Sequence, residues 1–151
     1  MLSVVLKYVL CLVIATGTVG VVAAHMGDNP MEAMDTTLRH QVRIVRQAIQ
    51  HYHDQHGSYP GKDGNGDLGD HLCWRTDRKG MVGEGPEFHF GPYLSGTALP
   101  ENPFVRNNFV KVVAIMPSQP DGRSAWIYSP RTGEFRANTL READGHRHFD
   151  F

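Results

Sequence analysis

PMEAMDTTLRHQVRIVRQAIQHYHDQHGSYP, residues 30–60, decides the fold. Met31, Met34, Leu38, Val42, Val45, Ile49 and Tyr52 recur at spacings of three and four, which lines them up on one stripe of an α-helix. Arg39, Arg43, Arg46 and Gln50 fall on the other faces. Asn29 precedes a proline at the first helical position, and Glu32 follows the asparagine by three residues, the arrangement that satisfies the free amides of a helix start. Gly57 and Pro60 stop the helix, and the glycine- and aspartate-rich stretch 61–67 cannot continue any regular element. The expectation is a helix over 30–56 whose apolar stripe must be covered by something else.

Upstream lies an apolar run from Leu2 to Ala24 in which Lys7 is the only charge. A bilayer-spanning helix needs roughly 20 such residues. Lys7, near the start, can snorkel to the cytoplasmic headgroups and orient the segment with its N-terminus inside. The competing reading is a cleaved secretory signal, because Val22-Ala23-Ala24 offers small residues for a signal peptidase and the most apolar core, Tyr8 to Ala15, is short. Either way residues 1–25 form an anchor or signal, and residues 26–151 an exported domain. Without Lys7, 14 basic residues face 16 acidic ones, a balance that points away from nucleic acid. The two cysteines, Cys11 in the apolar run and Cys73 far beyond it, give no expectation of an internal disulfide.

Downstream the pattern changes from a period of 3.6 to strands. Phe109 to Met116 is rich in β-branched residues, Pro117 to Gly122 is turn material, and Ala125–Tyr128 and Gly133–Asn138 flank the turn Ser129-Pro130-Arg131-Thr132. A small antiparallel sheet with one apolar face, paired with a helix carrying one apolar stripe, predicts an α+β roll with the helix laid across three or four strands. The organisation expected is a helix over 30–56, an irregular excursion over 57–107 with one helical turn near Pro92–Ser95, a sheet over 108–139 and a polar tail over 140–151.

Three stretches in this order carry a family resemblance. They are Thr37 to Ile49 with Tyr52 and His56-Gly57-Ser58-Tyr59-Pro60, then Phe90-Gly91-Pro92-Tyr93-Leu94 with Leu99-Pro100-Glu101-Asn102-Pro103-Phe104, then Ala125 to Asn138. Together they resemble the type IV pilin-like proteins, closest to the major pseudopilin of type II secretion systems. The resemblance implies a pilin-like fold, a single-pass inner-membrane anchor with the domain in the periplasm, and partners among other pilin-like subunits and inner-membrane proteins of a secretion machine. It also implies that Met34, Leu38, Val42, Val45, Ile49 and Tyr52 serve packing and assembly. At the N-terminus the chain departs from the family. An ungapped alignment puts Ser3 at the first mature residue, Leu2 where the glycine before the cut belongs, and Lys7 where the family has a glutamate. A lysine there repels the neighbouring N-terminal amine that the glutamate engages. Two expectations follow: a start placed short of the real one, or a divergent subunit that is not processed in the family's way.

Other constellations bear on chemistry. Asp63, Asn65, Asp67 and Asp70 alternate with glycines as oxygen ligands do in a calcium loop, although Leu68 stands where an EF-hand wants glycine and Trp74 where it wants glutamate. A solvated turn is the bland alternative. His51, His53 and His56 with Asp54 offer transition-metal ligands at the helix end, but only His53 and His56 share a face. His146 and His148 form a further pair in the polar tail. Cys73 beside Trp74 has no sequence neighbour that marks an activating base, and buried packing is its ordinary role. No nucleophile elbow or paired-acid spacing stands out, so the expectation is a non-enzymatic structural component without a cofactor, calcium apart. The alternative is a non-assembling periplasmic or membrane-anchored binding module with the same fold.

Overall fold

The computed structural model describes residues 29–64 and 66–151. The apolar run, Lys7 and Asn65 lie outside the described residues, and with them the anchor or signal expected over residues 1–25. Among the described residues no helix is long and apolar enough to cross a membrane.

Helix α1 runs Pro30–His56. Asn29 Oδ1 accepts from the Met31 amide at 3.1 Å, capping the start. At the other end Gly57 adopts φ +70° and its N–H bonds the His53 carbonyl at 2.8 Å, the left-handed stop that a glycine makes without strain. Leu38, Val42, Val45, Ile49 and Tyr52 are buried as the spacing predicts, and Ala48 joins them. Met34, at the start of the stripe, is half-buried.

The stripe packs on a three-stranded sheet in the order β1 (Val110–Val112), β2 (Trp126–Ser129), β3 (Glu134–Ala137). The α+β class holds, but the sheet is mixed and not antiparallel. Strands β2 and β3 form the expected hairpin, with Tyr128 opposite Phe135, whereas β1 lies parallel to β2 with Val110 opposite Trp126. Parallel neighbours need a crossover of roughly a dozen residues or more, and segment 113–125 supplies it. Asp121 holds that crossover in place. Its carboxylate takes Lys111 Nζ at 2.6 Å and Asn138 Nδ2 at 2.7 Å, and its amide donates to Asn138 Oδ1 at 3.0 Å. The turn residues were visible in the sequence, but their return to the same end of the sheet depends on these long-range bonds.

Trp126, Tyr128, Phe135 and Ala137 meet Leu38, Val42, Val45 and Ile49 in one core. Segment 57–107 is tied to that core more firmly than an irregular excursion. Its helix is not at Pro92–Ser95, where the backbone only bends, but at α2, Leu68–Cys73. Asp67 caps it by accepting from the Asp70 amide at 2.8 Å, and Leu68 and Leu72, four residues apart, are both buried. Asn102, wholly buried, donates to the Ala125 carbonyl at 3.0 Å, Trp126 Nε1 to the Pro100 carbonyl at 3.0 Å, and Tyr128 OH to the Pro60 carbonyl at 3.0 Å.

The polar tail is also corrected. Residues 140–151 form a hairpin of β4 (Glu142–Ala143) and β5 (His146–Arg147), then a 3₁₀ turn at His148–Asp150 that buries His148 and Phe149. The sequence there is mostly polar, and two phenylalanines and two histidines close together at its end give no periodicity to read.

Candidate functional site

Of the residues expected to serve assembly, Leu38, Val42, Val45, Ile49 and Tyr52 are already covered by the chain's own core. Only Met34 of that set retains part of its surface. Other faces of α1 stay accessible. One is a groove of about 420 Å³ beside the helix, where Ile44, Ala48 and His51, at spacings of four and three, face Tyr93, Leu94 and Pro100. His51 meets Tyr93 edge to face, with ring centroids 5.3 Å apart.

The acidic loop serves local structure. Asp67 is engaged as the cap of α2, and its backbone carbonyl accepts from His71 Nδ1 at 2.7 Å, so the His71 proton sits on Nδ1. Asp63 and Asp70 are exposed. Among the described residues no three His, Cys, Asp or Glu side chains converge on a point that could hold a metal ion.

Of the three histidines at the end of α1, His51 and His56 share Tyr93 as a neighbour and His53 does not. His53 lies against the Tyr59 ring, with centroids 4.3 Å apart. His56 Nε2 sits 2.9 Å from Tyr93 OH and 3.1 Å from Thr76 Oγ1. Tyr93 OH gives its proton to Gln55 Oε1 at 2.8 Å, which leaves the imidazole to donate to the phenol oxygen. Burial lowers the His56 pKa and raises that of Tyr93, and the Tyr52 phenol beside them is pushed up to about 12. All three effects favour the neutral forms, so this cluster is a hydrogen-bonded clamp between α1 and the 76–93 segment and offers no ionised base. Cys73 is buried, and desolvation followed by Asp67 and Asp70 raises its pKa, the opposite of what a nucleophilic thiolate requires.

His146 and His148 do not form a pair. His146 is exposed, while His148 is buried with Nδ1 3.1 Å from Thr139 Oγ1 and Nε2 2.8 Å from Asp35 Oδ1. The contact with Asp35 is close, but its angle falls short of a well-formed hydrogen bond. Hydroxyl, imidazole and carboxylate in a row are the parts of an acyl-transfer relay. Thr139 and His148, however, are only 4% and 1% exposed, so the row ties the C-terminal segment to α1. Nothing in the tail's composition marks His148 as the interior one of the two.

Among the described residues, three of the four most exposed large apolar side chains lie in or next to β1: Phe109 is 70%, Val112 58% and Ile115 76% exposed, and the fourth is Leu140. The β-branched pattern of 109–116 predicts a strand and carries no sign that these side chains face outward. No family model, no curated protein and no solved structure matches the chain.

Proposed function

We propose that this chain is a membrane-anchored, pilin-like structural subunit of an export or filament machine of the type II secretion or type IV pilus kind, with its domain in the periplasm. The observation that carries the reading is α1. A helix of 27 residues, about 40 Å long, follows an apolar run in the sequence and has one face covered by a small sheet. Such a helix holds a compact head at the end of a stalk, and the faces of α1 outside the core meet the helices of neighbouring subunits. The order of the motifs at 37–60, 90–104 and 125–138 supports the same reading.

The partners proposed are other pilin-like subunits and inner-membrane proteins of the machine, and no catalytic step is assigned to the chain. A second reading, a solitary anchored binding module, is favoured by Lys7 in place of the family's glutamate.

The test is a photo-crosslinking residue at Met31, which is exposed, in cells that carry the secretion machinery. Subunit ladders in the membrane fraction are expected. Monomers alone in that fraction favour the solitary module, and a soluble species beginning near His25 overturns the anchor.

A further inference from the structure

The open edge of β1 is not used by the stalk-and-head reading, and its chemistry is specific. In the parallel pairing with β2, Phe109 accepts from the Trp126 amide at 3.0 Å and the Val113 amide donates to Tyr128 at 2.9 Å. Bonds in a parallel ladder use alternate residues. Phe109, Lys111 and Val113 therefore turn their backbone to β2, and Val110 and Val112 turn theirs to the other side, where no strand among the described residues pairs with β1.

A groove of about 420 Å³ lies beside this edge, lined on one side by Phe109, Val110 and Val112 and on the other by Asp67, Asp70 and Leu99. Its ionised side chains are all acidic. Lys111, the base on β1 itself, is already paired with Asp121 at 2.6 Å. The site thus combines unpaired backbone donors and acceptors, exposed apolar side chains and unneutralised carboxylates.

We propose that β1 is a strand-addition site for an extended segment of another polypeptide, with alternate apolar side chains on the face of Val110 and Val112 and a basic residue meeting Asp70 and Asp67. Main-chain bonds to Val110 and Val112 supply affinity, and the carboxylates select the charge. A second copy of this chain fits less well. Antiparallel pairing of two β1 strands, Val110 with Val112 of the other copy, sets Lys111 opposite Lys111, and like charges directly opposite are unfavourable. The proposal stands apart from the anchored-subunit reading and survives its failure.

The test uses the full chain in a non-ionic detergent with two fluorescein-labelled probes, a peptide of alternating valine and lysine and its counterpart with glutamate in place of lysine. Fluorescence anisotropy should show the basic probe binding at least tenfold more tightly, with Asp70→Lys reducing that binding about tenfold. Amide exchange read by NMR should show Val110 and Val112 newly protected by the basic probe, while Lys111 changes little because its N–H is already in the ladder. Val112→Pro removes one edge donor and should abolish binding in protein whose thermal transition is retained. The amide-exchange result on the unsubstituted chain decides the matter if that variant does not fold. Equal binding of both probes, binding without protection of Val110 and Val112, or protection that grows with protein concentration in the absence of probe would overturn the proposal, the last in favour of a second copy.

Discussion

The two outer strands of the sheet, β3 and β1, are both edges, and the chain treats them differently. Phe135 turns its backbone away from β2, and its carbonyl is taken by Arg46 Nε of α1 at 2.9 Å. Arg136 on the same strand reaches Glu134 at 2.5 Å and Asp150 at 3.4 Å, and Arg136 also lies over the Phe149 ring, 4.7 Å from its centre. Helix, 3₁₀ turn and charged side chains close that edge. Among the described residues no hydrogen bond reaches the equivalent backbone groups of β1, and the side chains around them are largely apolar, with Asp67 and Asp70 across the groove. Unprotected edges invite pairing with other chains, which is why folded proteins usually block them. A protein that guards one edge this thoroughly and leaves the other open separates a structural side from a contact side.

The sharpest way to break the comparison is to truncate the inward face of β3. Phe135→Ala should cost about 3 to 5 kcal/mol, because Phe135 is wholly buried against Trp126. Ile49→Ala on the covering helix should cost about 2 to 5 kcal/mol, with exposed Arg43→Ala near zero; denaturant titration of the two variants separates them. Equal costs would mean that the buried face of α1 is misassigned.

Arg46→Ala should lower stability by about 1 to 2 kcal/mol, since a charged donor to the β3 carbonyl is lost. That variant should also show concentration-dependent association in light scattering, because it opens the guarded edge.

The pH dependence isolates the lock at the C-terminal segment. Burial holds the His148 pKa below the ordinary 6.5 despite Asp35, with Arg141 and Arg39 adding to the depression. The folded imidazole therefore resists a proton that the unfolded one accepts. The stability it contributes is complete above about pH 6.5 and is lost as the pH falls through the depressed folded value. Thermal melts from pH 8 to pH 5 should show this loss, and His148→Gln should flatten the part due to this residue, leaving the part due to His56, whose pKa is also lowered.

The smallest effect belongs to the open edge. Val112→Thr and Ile115→Ser should each change stability by less than about 0.5 kcal/mol. A larger loss at either site would show that β1 contributes to the core as β3 does.

What the sequence made legible follows from how far each signal reaches. The bounds of α1 came from local signals, the asparagine cap and the glycine stop, and its buried face from a period sustained over many turns. Strands β2 and β3 were legible because a short turn joins them. The direction of β1 was not, because it depends on Asp121 meeting Lys111 and Asn138 across the sheet. Helix α2 was hidden among glycines and aspartates that read as loop, since the aspartate that caps it also resembles a calcium ligand. The burial of His148 was illegible for a related reason: its partner Asp35 is more than a hundred residues away in the chain.

The C-terminal lock also gives α1 a defined path for mechanical load. Arg39 lies over the Phe151 ring, 3.6 Å from its centre, and Arg46, two turns further on, donates to the Phe151 carbonyl. Together with His148 against Asp35, these contacts grip the helix between residues 35 and 46 from outside the sheet. Tension applied at Pro30 along the helix axis therefore meets several fastenings loaded side by side, and a pull across the axis meets them one at a time. A domain fastened this way resists having α1 drawn out along its axis and yields more readily to having it peeled away.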